Sequence, residues 1–517
     1  MNAYATHSVK LNNLLSGTAP LTVRGPSDRV ITGLSCDSRQ VRPGSIFFAL
    51  PGVKADGFTF IEQALAHGAV AVVSERMPES CPADICFIQV ANVRLSMAKM
   101  AADFYGQPTH GVPVIGVTGT NGKTTVTYLL EAVLKTAGFH PAVFGTVEYR
   151  FNDVRLASSH TTPESLDLMR MMAEFRQQGA DALILEVSSH ALEQHRVDGI
   201  HFDLGVFTNL TPEHLDYHET LEKYFSSKRR FFSELLAAGK AVINRDDPFG
   251  QRLLKEHPDW LSFGLSSHAD ISPQQVDVGR DGISGIFSVG QKCLEIKSGM
   301  IGDFNVSNLL AAIAAAQQLG IDPDVIAEGV AQAPQVPGRL EKVANDNGIL
   351  ALVDYAHTGD ALEQVLKTLT KLEHNRLVTV VGCGGDRDPA KRPVMARVAV
   401  EYSNLAVFTS DNPRTEDPLA ILDQIRNGAL VAGGRELSSV QATQSDKGFI
   451  VIPDRRSAIE FACRLMETGD LLLVAGKGHE NYQILGTEKI HFDDREELDR
   501  ILNHRSEKTG AGSDGHV

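Results

Sequence analysis

The chain has 517 residues, with 49 Lys and Arg against 64 Asp and Glu, a formal net charge of −15. The length predicts about three domains. The acidic balance argues against a general nucleic-acid binder, which would show a basic surface. Hydrophobic residues are 43% and charged residues 22%, the composition of a soluble globular protein and not of a disordered one. No apolar run approaches the ~20 residues of a membrane helix, and residues 1–20 lack the basic start and apolar stretch of a secretory signal. Cys36, Cys81, Cys86, Cys293, Cys383 and Cys463 form no CxxC pair, so neither a disulfide framework nor a structural zinc site is predicted. These features predict a cytoplasmic, multi-domain protein with no membrane segment and no nucleic-acid partner.

Residues 1–110 form a first segment with nine basic and eight acidic residues, so the acidic excess lies downstream. Strands are predicted at 45–50 and 69–73 and a helix at 60–66, ended by Gly68. Tyr105-Gly106-Gln107-Pro108 reads as a turn and linker. The second segment, 111–336, opens with a β-branched run at 112–117. A helix is predicted over 123–137, because Val126, Leu129, Leu130, Val133 and Leu134 follow its period. Apolar runs at 182–185, 204–207 and 241–243, separated by helix-length stretches, predict a parallel sheet with crossover helices. An Ala- and Leu-rich helix is predicted over 308–319, and Pro334 with Pro337-Gly338 marks a linker. The third segment, 337–503, repeats the alternation with strands at 349–353, 377–381, 405–409 and 471–475. The Gly- and Ser-rich end, 504–517, predicts a disordered tail.

In the last two segments polar motifs follow the C-terminal ends of the predicted strands: 118–125, 186–190, 209–214, 354–357, 382–387, 410–414 and 476–480. Open α/β sheets bind ligands at those ends. The first motif, Gly116-Val117-Thr118-Gly119-Thr120-Asn121-Gly122-Lys123-Thr124-Thr125, joins a strand to a helix. Glycines let backbone N–H groups approach phosphates, and the helix N-terminus adds positive potential. Lys123 would neutralise the β- and γ-phosphates and the Thr124 hydroxyl would reach Mg²⁺. Val117 stands where the usual phosphate loop has its first glycine, so this is a variant. Glu186, at a strand end, is a hard oxygen donor suited to Mg²⁺ beside Thr124.

The form Thr-Gly-Thr-Asn-Gly-Lys-Thr-Thr resembles the Mur ligase family. Glu186-Val187-Ser188-Ser189-His190, the run from Asn209 to Asp216, Asn305-Val306-Ser307-Asn308, Gly338-Arg339 and Asp354-Tyr355-Ala356-His357 follow in the family's order. The resemblance covers nearly the whole chain and is strongest to the branch that adds the third amino acid of the peptidoglycan stem peptide. It implies an α/β fold with three domains: a UDP-sugar domain at 1–110, a central P-loop parallel-sheet ATPase domain at 111–336, and a Rossmann-like, amino-acid-binding C-terminal domain at 337–503. It implies that ATP, UDP-N-acetylmuramoyl-L-alanyl-D-glutamate and an amino acid give the tripeptide, ADP and phosphate through an acyl phosphate, with Mg²⁺.

By the same resemblance, Gly119 to Thr125 with Asn305, Asn308, Arg339, Asp354 and His357 would contact ATP, although Asn308 could equally cap its helix. His214 would ligate or orient a metal. Lys228 would be carbamylated, which turns an ammonium that repels Mg²⁺ into a carboxylate-like ligand; an exposed basic helix face is the plain alternative. Ser38, flanked by Asp37 and Arg39, would face the uridine diphosphate. Thr161, Thr162, Ser188, Gln194 and Arg196 would face the muramoyl-dipeptide. Asp411-Asn412-Pro413-Arg414 matches the relatives that use meso-diaminopimelate, whose second carboxylate Arg414 could hold through two hydrogen bonds. Arg387, Gly476 and Glu480 would complete that subsite. A lysine-adding relative, a folylpolyglutamate synthetase and an ATP-binding regulatory protein are the competing readings; the last would not need Arg414.

Overall fold

The computed structural model describes residues 8–52, 55–236, 239–290, 292–443 and 447–503. The tail expected at 504–517 lies outside them. The chain divides into two units. One runs to Pro273 and includes Phe287–Leu294 and Ser307–Val330; the other holds Gln274–Ile286, Glu295–Val306 and the chain from Ala331 onward.

The first unit carries two sheets. The N-terminal one has the order Thr22–Arg24, Cys86–Gln89, Ala69–Ser74, Ser45–Phe48, Gly33–Ser35, and all its pairings are parallel except that of its first strand. The larger sheet has a parallel centre ordered Pro141–Phe144, Ala182–Glu186, Val114–Thr118, Leu204–Phe207, Lys240–Asn244, Leu261–Phe263. An antiparallel hairpin, Glu148–Phe151 with Val154–Ala157, extends one edge, and at the other Phe263 pairs with Ile271. The central strands are buried along their whole length, as strands covered on both faces must be. The two sheets share one apolar core. Their helices Val93–Phe104 and Ser165–Gln177 lie against each other, joined by an Arg94–Glu164 ion pair at 3.4 Å.

Gly116, in the middle of its strand, serves packing. A Cβ there would meet Phe231 Cζ at 2.5 Å and Phe202 Cε1 at 2.9 Å. Gly205 on the adjacent strand makes room for Phe231, Phe232 and Leu236 in the same way. Phe231 begins a π-helical turn, Phe231–Leu235, that continues the helix Leu221–Arg230, the kind of local widening that often accompanies functional sites.

The second unit is built on a sheet ordered Glu341–Val343, Leu350–Asp354, Leu471–Ala475, Leu377–Cys383, Leu405–Ser410, Gly448–Val451, parallel apart from its first pair. Its two faces carry separate apolar cores. Among the described residues no helix is long and apolar enough to cross a membrane.

Predicted strands and helices are found within a few residues, with one difference that matters. The Ala-rich helix begins at Asp303 and runs to Gln318, not at Asn308. Asn308 therefore sits in its second turn and cannot be its cap. The added turn is stabilised by Asn305, whose Nδ2 donates to the Ile301 carbonyl at 2.7 Å.

Candidate active site

In the first unit, Val114–Thr118 lies between Ala182–Glu186 and Leu204–Phe207. Its C-terminal end thus opens where the strand order reverses, the usual ligand position of an open α/β sheet. The loop 119–122 leaves from that point. Gly119 has φ +147° and a Cβ on it would lie 1.9 Å from Thr208 Oγ1; Gly122 has φ +87° and its Cβ would lie 2.2 Å from Asn308 Oδ1. Neither position has room for a side chain. The strand-end loop of the neighbouring strand braces the turn: Thr120 N donates to Asn209 O and Asn121 N to Asn209 Oδ1, both at 2.9 Å, and Thr208 Oγ1 donates to Asn121 O at 2.6 Å. Lys123 Nζ curls back to donate to the carbonyls of Gly119 (2.8 Å) and Thr120 (2.7 Å). Thr124 and Thr125 are buried in the first turn of the helix Lys123–Thr136.

Glu186 closes the opposite wall. Its Oε2 accepts from Thr124 Oγ1 at 3.0 Å and Thr146 Oγ1 at 2.9 Å, and its Oε1 from Thr146 N at 3.0 Å. All three donors are neutral groups. It is Thr124 whose hydroxyl meets this carboxylate. Among the described residues no three His, Cys, Asp or Glu are grouped as a metal cage. Mg²⁺ does not need one, since it is commonly held by one or two protein oxygens together with substrate phosphates and waters.

Lys228 is not on an exposed basic face. It is 1% exposed, and its Nζ donates to the Gly119 carbonyl at 2.9 Å. Burial, with the Lys123 charge nearby, holds its amine well below the ordinary lysine range. The Tyr224 ring, one turn earlier, lies 4.7 Å from that nitrogen, and its hydroxyl is 3.2 Å from Thr120 Oγ1. His214 adopts φ +56°. Its ring stands 5.0 Å from His190 and 6.2 Å from Tyr224, and its Nε2 faces Glu213 at 3.9 Å.

The residues expected to face the dipeptide are linked to Glu186 through their own hydrogen bonds. Thr162 Oγ1 donates to the Glu186 carbonyl at 2.7 Å and accepts from Ser188 N at 3.1 Å; Thr161 Oγ1 lies 3.0 Å from Thr146 Oγ1. Arg196 donates to Thr162 O (2.8 Å) and Gln194 Oε1 (2.7 Å) and pairs with Glu164 at 3.1 Å. Ser38 is buried in a short turn after the strand Gly33–Ser35, its hydroxyl donated to Gln63 Oε1 at 2.7 Å, while Asp37 and Arg39 pair at its rim.

In the second unit, Asp354 is fully enclosed. Its oxygens accept from the N–H groups of Leu340 (2.7 Å) and Ala356 (2.8 Å), and burial pushes its carboxyl up despite the Arg339 charge. The Arg339 guanidinium lies 5.0 Å over the Tyr355 ring, with His479 and His357 on the same ring at 5.0 and 4.6 Å. The turn 411–414 follows Leu405–Ser410. Asn412 Nδ2 donates to Glu480 Oε2 at 3.0 Å, and Arg414 Nη1 donates to Gly385 O at 2.7 Å and Asn412 O at 3.4 Å. Arg414 is half-buried, held by its N–H to Ile484 O at 3.1 Å with φ +53°. Gly476 ends the next strand but one, where a Cβ would lie 3.2 Å from Asp411 Oδ2. Arg387 is exposed, its Nη1 donating to Asp386 O at 3.1 Å.

Three family models cover the chain: the Mur ligase middle domain at 117–316, the Mur ligase glutamate ligase domain at 338–478 and the Mur ligase family catalytic domain at 30–105. The UDP-N-acetylmuramoyl-L-alanyl-D-glutamate--2,6-diaminopimelate ligases of Geobacter sulfurreducens and Geobacter metallireducens are similar to it. They are 49% identical over 511 residues and 50% over 509, covering 97% of this chain and 100% and 99% of theirs. The chain belongs to the Mur ligase family. A solved structure bearing the same ligase name matches with TM-score 0.71 and 35% identity, over 96% of this chain and 99% of that one. As a Mur ligase the chain is an ATP-dependent amide ligase.

Two residues of this Mur ligase escape sequence reading. Thr146 holds both oxygens of Glu186 but follows a strand, Pro141–Phe144, too short to stand out from its apolar surroundings. Lys477 is fully buried among Asp411, Asn412 and Glu480. Its place between two glycines at a strand end was the available signal.

Proposed function

We propose that this chain joins meso-2,6-diaminopimelate to UDP-N-acetylmuramoyl-L-alanyl-D-glutamate, with ATP converted to ADP and phosphate. The observation that carries the choice of amino acid is the 411–414 turn, in which the Arg414 guanidinium rests on the Gly385 and Asn412 carbonyls while the Asn412 side chain donates to Glu480. A guanidinium matches the second carboxylate that distinguishes diaminopimelate from lysine, and a partly buried arginine left without it disfavours lysine. Glu480 would take the ammonium near that carboxylate, with Asp411, Pro413, Gly476 and Arg387 completing the wall.

The substrate carboxylate attacks the γ-phosphorus of ATP, ADP departs, and the amine of the incoming amino acid displaces phosphate from the acyl phosphate. Two unit charges 4 Å apart repel by about 4 kcal/mol at an effective dielectric near 20, so bringing an anion to a triphosphate needs fixed positive charge. Lys123 supplies it once phosphate oxygens replace the Gly119 and Thr120 carbonyls on its ammonium. The N–H groups of residues 119–125 and the helix start add to it. Asn305, Asn308, Arg339, Asp354 and His357 are assigned to the nucleotide. Ser38, Thr161, Thr162, Ser188, Gln194 and Arg196 are assigned to the sugar-dipeptide.

Thr124 and Glu186, with His214 and a carbamylated Lys228, would hold Mg²⁺, which when bound offsets phosphate charge as a Lewis acid. The buried, depressed amine of Lys228 supports carbamylation, since only a neutral amine adds to CO₂. Phosphate release assayed with the sugar-dipeptide tests the whole reading. It should require diaminopimelate; equal turnover with L-lysine would overturn the choice of amino acid.

A further inference from the structure

Lys477 is fully buried at the end of the strand Leu471–Ala475. Its Nζ stands 3.3 Å from Asn412 Oδ1, 3.5 Å from Glu480 Oε2 and 3.5 Å from Asp411 Oδ1. Asn412 in turn donates to the same Glu480 oxygen, and Ile484 N donates to Asn412 Oδ1 at 3.0 Å. Asp411 Oδ1 is buried with no hydrogen bond. One cation and two carboxylates thus share a single enclosed cluster, whose more open member is Glu480, with 18% of its side chain exposed against 9% for Asp411.

We infer that Lys477 is a positioning and specificity residue for the incoming amino acid: it cancels one of the two carboxylate charges, leaving the cluster one net negative charge with which Glu480 receives a single ammonium. The inference rests on the diaminopimelate reading above and deepens it. Without Lys477, Asp411 and Glu480 would face each other uncompensated, and one of them would take up a proton in place of the substrate's ammonium. Burial and Asp411 already push the Glu480 carboxyl up, while Lys477 and Asn412 hold it down. The other charged or titratable groups around Glu480 are Tyr482, Tyr355 and Arg455. Tyr482 lies 5.5 Å from the Lys477 ammonium across its ring face. Arg455 is taken up by Asp494 at 2.7 Å. Neither replaces the Lys477 charge at the Glu480 oxygen.

The test is steady-state kinetics of the full-length enzyme and its Lys477→Met and Lys477→Gln variants, with each substrate varied in turn from pH 6 to pH 9. The expected result is a KM for diaminopimelate raised about tenfold or more at neutral pH. The acid limb of kcat/KM for diaminopimelate should move up by about one pH unit, while the KM values for ATP and the sugar-dipeptide stay within about twofold. In Lys477→Met combined with Asp411→Asn, which restores the single negative charge, the acid limb should return toward its original position. An unchanged limb in both single variants, or equal losses toward all three substrates, would overturn the inference while leaving the ligase reading intact. Failure of the unmodified enzyme to use diaminopimelate would overturn both. If Lys477→Met does not fold, judged by its thermal melt, the near-isosteric Lys477→Gln decides alone.

Discussion

The close approach of Gly122 to Asn308 in the phosphate loop separates two energies that usually come mixed. In Gly122→Ala the new Cβ would lie 2.2 Å from Asn308 Oδ1, at a residue with φ +87°. The left-handed backbone costs an alanine about 1–2 kcal/mol. Pushing the buried Asn308 amide aside costs about another 1 kcal/mol, the worth of one displaced hydrogen bond. If the loop binds triphosphate only in this conformation, the sum of about 2–3 kcal/mol appears as ATP binding weakened roughly 30- to 150-fold. The second term vanishes when Asn308 is first truncated. Gly122→Ala should therefore cost about 1 kcal/mol less in an Asn308→Ala background than in the unmodified protein. ATP affinity measured calorimetrically for all four proteins gives the coupling directly. The same loss in both backgrounds would refute the contact, and no loss in either would refute the loop as the nucleotide site.

Four further outcomes are expected. Lys228→Ala should lower turnover by about a hundredfold or more, with partial recovery on adding short carboxylates; no recovery would count against a carbamate. Arg414→Ala should lower kcat/KM for diaminopimelate by about a hundredfold while leaving that for L-lysine nearly unchanged, as competition between the two amino acids would reveal. Arg455 and Asp494 are both fully buried and joined by hydrogen bonds of 2.7 and 2.8 Å, so Asp494→Asn should destabilise the second unit by about 3–5 kcal/mol in urea titrations. Burial, with Arg339 and Arg495 nearby, pushes the His479 imidazole down from 6.5 to about 4. Between those values the unfolded chain holds a proton the folded one lacks. This residue's contribution to stability should thus fall as pH drops from about 6.5 to about 4, by roughly 1.4 kcal/mol per pH unit. Denaturation midpoints at pH 7.5 and 5 for the protein and its His479→Gln variant measure the slope.

By itself the sequence determined the alternation of strands and helices and the position of polar motifs at strand ends. Both follow from local patterns: short continuous apolar runs such as 204–207 and 471–475 suit strands buried on both faces, and a glycine turn before Lys123 suits a helix start. It could not decide what depends on distant residues meeting. Composition alone favours an exposed Lys228; three-dimensional packing buries it against the Gly119 carbonyl, 109 positions away. Asn308 looks like a helix cap until the additional turn from Asp303 and the close approach of Gly122 give it a different neighbour. Gly116 reads as part of a phosphate loop, yet the rings of Phe202 and Phe231 require it. Lys477 becomes chemically distinctive only once the fold brings Asp411, some sixty residues earlier in the chain, to 3.5 Å from its ammonium, alongside its near neighbour Glu480. Secondary structure follows the period of nearby side chains, whereas charge state and steric tolerance are set by whatever the fold places alongside, and strand order fixes that only in three dimensions.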